Sequence, residues 1–522
     1  MRVLLPSEMR AVDRYAIDQL HVPGVALMEN AGAAVAERVA ECMCELGCCQ
    51  GTGRVVVLCG PGNNGGDGFV AARRLASEGL SVDVYALCSQ DRIAGDALTH
   101  LNWLKHCGID VDFVESCSGK LWADIERADV IVDAILGTGI EKEVTGLFAE
   151  VIARVNESGA CVVAVDIPSG IDGATGKVMG TAVRADITVT FAYPKVGQLF
   201  YPGREFCGEL EVADIGIPPA APDETEDIQS VIHLIDDERV RESLPKRIQP
   251  SHKGTYGRLV VIGGSAGMPG AASLACSAAL RAGAGTVVAI TPRSIRHILH
   301  GHDAEVMSIG ADETSEGGFS AAALESVLAG VRPAAAFVLG PGIVRSGDAA
   351  SLVKGLLTAA DRAGVVDADA LVVLSQSGVD LASVNADLVL TPHPGEMSAL
   401  TGLPVADILD NPVQVCARYA VQWRKTVVLK GATTVVGSPD GSAHISVRGN
   451  AGLATGGTGD VLAGIIGAFL AQGIRPCEAA ICGTYVHGVA GELASESNGM
   501  VSMLARDVVS SIASALDSIS NP

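Results

Sequence analysis

The chain has 522 residues, enough for two or more domains on a soft prior of about 100–200 residues each. Lys and Arg total 37 against 60 Asp and Glu, a formal net charge of −23, so the surface repels nucleic acid and anionic membranes. No apolar run is long enough to span a bilayer and no signal peptide is visible, and the one cluster among the 14 cysteines (Cys42, Cys44, Cys48, Cys49) lacks the paired spacing of a zinc site, so a cytoplasmic location is expected.

Residues 7 to 49 read as two helices broken at Pro23-Gly24, with Ser7 as the first N-cap and Glu8 in the first turn. Strands are expected at 54–59, 81–87, 129–133, 160–166 and 187–191, and helices at 68–78, 93–106, 119–126 and 147–157. This alternation implies a mostly parallel sheet with helices on both faces and a site at the carboxyl ends of the strands. The stretch Gly60-Pro61-Gly62-Asn63-Asn64-Gly65-Gly66-Asp67-Gly68 reads as a strand-to-helix turn whose backbone N–H groups can face an anion. It fits the spaced-glycine dinucleotide fingerprint through Gly60, Gly62 and Gly65. A nicotinamide dehydrogenase would close its second strand with an acid that holds a ribose. Here Cys88-Ser89-Gln90 follows that strand and Asp83 lies inside it, which argues against hydride transfer.

Two further loops follow strands: Asp133 to Ile140, with Gly137-Thr138-Gly139, and Asp166 to Gly173, with Pro168-Ser169-Gly170. Strand-end loops of one sheet can converge on one crevice. Asn64, Asp133 and Ser169 are hard oxygen donors of the kind that suit an alkali or alkaline-earth cation. Residues 218–227 are rich in proline, alanine and acids without hydrophobic periodicity and read as a linker. The domains are accordingly drawn at 1–220 and 229–522, with 221–228 between them.

In the second half, strands are expected at 257–263, 286–290, 336–339, 364–367, 387–390, 426–430, 433–437 and 443–446. Gly456-Gly457-Thr458-Gly459-Asp460 precedes an apolar helix, and a glycine turn at a helix start can form an anion hole. Asp460 is either a base toward a bound hydroxyl or that helix's N-cap. Lys430-Gly431-Ala432-Thr433-Thr434 ends a strand and offers a cation, N–H groups and hydroxyls to phosphates; His393 stands between two prolines in a rigid turn.

Residues 1 to about 220 resemble the NAD(P)H-hydrate epimerase domain through Leu27-Met-Glu-Asn-Ala-Gly32, Asn63 to Gly68, Asp133 to Gly139 and Asp166 to Gly170. The resemblance implies a Rossmann-like three-layer α/β sandwich that interconverts the R and S forms of hydrated NADH and NADPH at nicotinamide C6. It implies that Asn63, Asn64, Gly65, Gly66 and Asp67, with Gly137, Thr138, Gly139, Ile140, Glu141, Lys142 and Glu143, bind the hydrate. Asn64, Asp133 and Ser169 would hold potassium, and Asp166 would sit at the reacting centre; whether Asp166 or Asp67 moves the proton stays open. Residues 229 to 520 resemble the NAD(P)H-hydrate dehydratase branch of the ribokinase-like α/β fold through Ser251 to Gly257, His393 to Glu396, Lys430 to Thr434 and Gly456 to Asp460. Here Lys430, Gly431, Ala432, Thr433, Thr434 and Gly459 would contact the adenine nucleotide, and Ala271, Gly342, His393 and Asp460 the S-hydrate. ADP with magnesium is the expected phosphoryl donor. Asp460 would deprotonate the C6 hydroxyl for attack on the terminal phosphoryl group of ADP, turning a poor leaving group into phosphate. The implied partners are the small molecules NADHX, NADPHX and ADP, in a homo-oligomer. The competing readings are a true small-molecule kinase for the second domain and a non-catalytic binding module for the first.

Overall fold

The computed structural model describes residues 1–48, 53–116, 118–140, 142–299 and 303–521. Cys49 of the cysteine cluster and Glu141 of the expected substrate loop lie outside these residues. The chain divides into two compact units, residues 2–230 and 231–522 with Met1.

The first unit opens with α1 (Pro6–Asp18) and α2 (Gly24–Glu45). Ser7 is not the cap of α1. Pro6 takes the first helical position, where its missing N–H costs nothing, and the Glu8 carboxylate accepts the Leu5 N–H at 2.9 Å. Then β1 (Arg54–Cys59), α3 (Asn63–Ser77), β2 (Ser81–Ala86), α4 (Gly95–His106), β3 (Val111–Phe113), α5 (Gly119–Arg127), β4 (Val130–Ala134), α6 (Leu147–Glu157), β5 (Cys161–Val165), β6 (Ile187–Phe191) and β7 (Glu209–Ala213) follow. The sheet order is β3-β2-β1-β4-β5-β6-β7, and every neighbouring pair is parallel. Its two faces carry separate apolar clusters, one under α2 and α3 and one under α5 and α6. β3 and β7 sit at the sheet's edges with no fully buried residue, which is why apolar patterning does not announce them.

The expected linker does not link. Residues 221–224 form a short helix on the first unit, with Ala221 and Pro222 buried. Ala221 belongs to that unit's core, and Tyr15 donates to Glu224. Low periodicity in a proline-rich stretch reports short elements as readily as disorder.

The second unit holds β8 (Ile232–Leu234), β9 (Arg258–Ile262), β10 (Thr286–Pro292), β11 (Met307–Ala311), β12 (Ala336–Leu339), β13 (Ala363–Val366), β14 (Leu388–Leu390), β15 (Thr426–Leu429), β16 (Thr434–Gly437) and β17 (Ala443–Ser446). Their order is β8-β17-β16-β15-β14-β13-β12-β9-β10-β11. The pairs β15–β16 and β16–β17 are antiparallel and the rest parallel. Helices α7 (Pro269–Arg281), α9 (Thr458–Ala471), α10 (Pro476–Asn498) and α11 (Ala505–Ser520) pack into its largest core; α8 (Pro394–Thr401) follows β14. Twelve of the fourteen residues of α9 are buried, as the apolar run 461–471 requires. Among the described residues, no helix is long and apolar enough to cross a membrane.

Two candidate active sites

In the first unit, only Gly60 to Gly62 of the glycine-rich stretch form the turn. Helix α3 begins at Asn63, so Gly65, Gly66, Asp67 and Gly68 are helical. Glycine is needed there because the helix starts pressed against its neighbours. A Cβ on Gly65 would collide with the Gly60 carbonyl oxygen, one on Gly66 would lie 2.5 Å from the Met28 sulfur, and one on Gly68 2.6 Å from Ala134 Cβ. Gly32 of α2 has the same function: a Cβ would stand 2.5 Å from the Asp67 carbonyl oxygen. Its motif neighbours Glu29 and Asn30 are structural. Glu29 takes hydrogen bonds from Arg73 and Arg74, and Asn30 donates to the Ile215 carbonyl.

This close packing opens a cavity of about 910 Å³ at the carboxyl ends of β1, β4, β5 and β6. Asn63, Asn64, Asp67, Gly137, Thr138, Gly139, Ile140, Lys142, Glu143 and Asp166 all line it. Gly65 and Gly66 do not; they are buried inside the helix packing. Asp133 and Ser169 lie beneath the wall, both fully buried. Asp133 accepts from the Ser169 N–H at 2.8 Å and the Ser169 hydroxyl at 2.5 Å, and Ser169 Oγ also accepts the Leu136 N–H at 2.8 Å. Burial pushes the Asp133 carboxyl up to about 6 despite these donors. The Asn64 side chain touches this corner: its Oδ1 lies 3.3 Å from where a Gly137 Cβ would be, and its buried Nδ2 has no hydrogen-bond partner among the described residues. Asn64 Oδ1, the Asp133 carboxylate and Ser169 Oγ are the oxygen atoms of this corner that suit a cation with hard oxygen preference.

Asp166 ends β5 in the left-handed region, φ +63, a conformation that costs a non-glycine residue about 1–3 kcal/mol and collects at functional sites. Its carboxylate accepts from the Lys195 ammonium and from Thr190 Oγ1 at 3.0 Å, and Gln198 Nε2 holds its carbonyl at 2.6 Å. Lys195 is 1% exposed. Its remaining hydrogen bonds go to Thr190 Oγ1 at 2.8 Å and the Phe191 carbonyl at 3.3 Å. Asp13, on the cavity face of α1 with Met9, Arg10 and Ile17, completes the group. The backbone explains its arrival: Leu4 is bridged to Lys195, with Leu4 N on the Pro194 carbonyl at 3.1 Å and Val196 N on the Leu4 carbonyl at 3.2 Å. Burial raises Asp13 to about 6 and Asp67 well above the usual carboxylate range, with Asp166 adding to both. Sequence reading misses Lys195 and Asp13. A lysine between Pro194 and Val196 and an aspartate in an amphipathic helix both look like surface charges until the fold turns them inward.

In the second unit, the carboxyl ends of β9, β12, β13, β14 and β15 meet the start of α9. Gly457, φ +96, is the N-cap of α9, so Asp460 is its third residue and not its cap. Its carboxyl makes no hydrogen bond among the described residues, and burial followed by the charge of Asp367 raises it to about 7 against the pull of Lys430. Lys430 does not reach outward. Its Nζ lies 2.8 Å from Asp367 Oδ1 and 3.8 Å from Glu396 Oε2, and a Cβ on Gly459 would stand 3.5 Å from it. Burial alone would lower the Lys430 ammonium, but Asp367 and Glu396 hold it above its ordinary value. Asp367, 1% exposed, also accepts from Thr391 Oγ1 at 2.7 Å. The next residue, Ala368, has φ +53. In the sequence, Asp367 marks only the end of a strand.

His393 caps α8, its Nδ1 accepting from Gly395 N at 3.0 Å and Glu396 N at 3.2 Å. Its Nε2 lies 3.4 Å from Glu396 Oε1. Gly342, φ +71, lies against Ala271, 3.1 Å from a built Cβ, so these two expected contacts are adjacent. Gly431 is exposed, Thr433 is buried, and Thr434 Oγ1 accepts from Gly431 N at 3.5 Å. A cavity of about 650 Å³ lies at the amino end of the sheet around Lys253, Arg258 and Arg332. The Asp460 cluster is located by its converging side chains.

Residues 24–197 match the family model of the YjeF-related protein N-terminus, and residues 259–514 match that of NAD(P)H-hydrate dehydratase. A bifunctional NAD(P)H-hydrate repair enzyme of Moorella thermoacetica is 40% identical over 98% of this chain and 95% of its own. Among solved structures, a ribokinase-like superfamily protein of Enterococcus faecalis is 26% identical, with a TM-score of 0.50 over 56% of this chain and 97% of that one. An ADP/ATP-dependent NAD(P)H-hydrate dehydratase of Bacillus subtilis, crystallised with ATP and Mg2+, is 30% identical over 56% of this chain and all of that one, with a TM-score of 0.49. The fold and sites thus define a two-domain α/β enzyme with a ribokinase-like second half. The chain belongs to the family of bifunctional NAD(P)H-hydrate repair enzymes.

Proposed function

We propose that residues 2–230 interconvert the R and S forms of hydrated NADH and NADPH, and that residues 231–522 dehydrate the S form with ADP, releasing AMP and phosphate. One observation carries both halves. Each unit sets a lysine-held aspartate beside a second carboxyl that has no hydrogen-bond partner among the described residues: Asp166–Lys195 beside Asp67, and Asp367–Lys430 beside Asp460. A raised, unpartnered carboxyl in a cleft is what proton transfer near neutral pH requires.

In the first unit, epimerisation at C6 needs one group to take the C6 hydroxyl proton and another to protonate the ring nitrogen as the ring opens. Asp166 and Asp67 both face the cavity. The N–H groups of the first turn of α3 suit the pyrophosphate. Potassium would be held by Asn64, Asp133 and Ser169, offsetting the buried charge of Asp133. In the second unit, Asp460 takes the C6 hydroxyl proton, and the hydroxyl attacks the terminal phosphoryl group of ADP. The N–H groups of the Thr458–Gly459 turn stabilise the charge on the transferring group. Asp367 Oδ2, which accepts no hydrogen bond among the described residues, would help hold magnesium, which would neutralise phosphate charge. Lys430 holds Asp367 in place. The dehydration thus borrows the phosphoryl transfer of a kinase but ends in loss of phosphate.

The experiment is to incubate the protein with ADP and the purified S-hydrate of NADH, then with the R-hydrate. Return of NADH absorbance with both, at stoichiometry one AMP per NADH, is expected. A phosphorylated product without NADH would replace the dehydratase reading with a kinase.

A further inference from the structure

The hydrate reading of the first unit leaves its acid and base unassigned, and the inference here rests on that reading. From the burial and bonding of Lys195 we infer that this lysine is the positioning residue that divides the labour of the site, holding Asp166 as the proton acceptor and leaving Asp67 as the proton donor.

The pocket is crowded with carboxyls. Asp13, Asp67 and Asp166 line one cavity from three different elements. Three like charges in a partly buried pocket cannot all ionise, so the geometry must select which one does. Lys195 is the selector. It is fully buried, and its ammonium donates to the Asp166 carboxylate but to neither of the other two. Thr190 supplies Asp166 with a further donor and Gln198 holds its carbonyl. Asp67 receives no hydrogen bond among the described residues, and burial, then Asp166 and Asp13, push it well above the usual carboxylate range. Among the described residues, the remaining charged groups on the cavity wall are Arg10, Asp96, Lys142 and Glu143.

The chemistry then balances. Asp166 takes the C6 hydroxyl proton and C6 becomes a carbonyl carbon. The C6–N1 bond breaks, its electron pair goes to N1, and N1 takes the proton of Asp67. Rotation about C5–C6 presents the other carbonyl face. The steps reverse: N1 attacks C6, its proton returns to Asp67, and Asp166 returns its proton to the oxygen. Nothing is oxidised or reduced, and both aspartates end as they began.

The test measures R-to-S conversion from pH 6 to 9 in wild type and Lys195→Met, with urea denaturation of the same samples as the control for a folded first unit. At pH 7 the K195M rate is expected to fall about 100-fold or more. It should recover at least tenfold by pH 9, because methionine leaves the buried Asp166 carboxylate without the counter-charge that the Lys195 ammonium supplies. If K195M does not fold, Thr190→Val keeps the charge and removes one donor, and should shift the pH profile the same way by a smaller amount. Loss of the same factor at every pH, or a K195M rate within twofold of wild type, would overturn the assignment. A wild-type rate no faster than the spontaneous one would instead overturn the epimerase reading itself.

Discussion

Replacing Asp460 with asparagine should cost activity and gain stability, and the same geometry predicts both. Burial and Asp367 raise its carboxyl from 3.8 to about 7. The folded state therefore binds this proton more tightly than the unfolded chain. Stability from this group is complete below the unfolded value, is lost as pH rises through the interval to about 7, and is absent above it. At 1.36 kcal/mol per pKa unit, the shift corresponds to about 4 kcal/mol at pH 8; allowing for partial exposure, about 1–3 kcal/mol is expected. An asparagine side chain carries no charge, so the variant escapes that cost. For a chain of this size, D460N should melt a few degrees higher at pH 8 and show little difference at pH 5. Its dehydration rate should fall about 10²–10⁴-fold, and wild-type dehydration should rise with pH to a plateau above about 7. Differential scanning calorimetry at both pH values, beside an NADH-absorbance assay, measures all of this. A variant that is destabilised equally at pH 5 and 8, or that keeps more than a tenth of the rate, would refute the reasoning.

Other perturbations separate the remaining contributions. Asp13→Asn removes a carboxyl raised to about 6, so by the same sign it should stabilise the chain by about 1–2 kcal/mol at pH 8 and not at pH 4; equal effects at both would contradict the burial argument. The wild-type melting temperature should be higher in KCl than in choline chloride at equal ionic strength, and Asp133→Asn should erase the difference; a salt-independent wild type would remove potassium from the Asn64–Asp133–Ser169 corner. Gly65→Ala drives a methyl into the Gly60 carbonyl and should cost about 1–3 kcal/mol or more, measured by urea denaturation, with R-to-S conversion falling and S-hydrate dehydration retained. An unchanged midpoint would mean that the start of α3 has more room than its packing indicates.

The strand ends, the three Gly/Asp segments of the first unit and the Gly456–Asp460 turn are legible in the residues themselves. Their signals are local: β-branched runs mark buried parallel strands, and glycine clusters mark places where backbone must come close. The same locality misjudges the start of α3, because glycines that allow a helix to press against Gly60 and Met28 look identical to glycines that allow a loop. It also gives no sign that Lys430, expected beside phosphate, is paired with Asp367. Lys195, Asp13 and Asp367 are not legible as site residues at all. Lys195 and Asp367 meet their partners only across long sequence separations, 29 from Asp166 to Lys195 and 63 from Asp367 to Lys430. Asp13 does so only because the chain folds α1 over the cavity. Sequence determined which residue types reach the carboxyl ends of the two sheets. Only the tertiary structure decided which carboxyls are paired and which are left without a donor, because ionisation depends on burial and neighbouring charge, and both are properties of the folded chain.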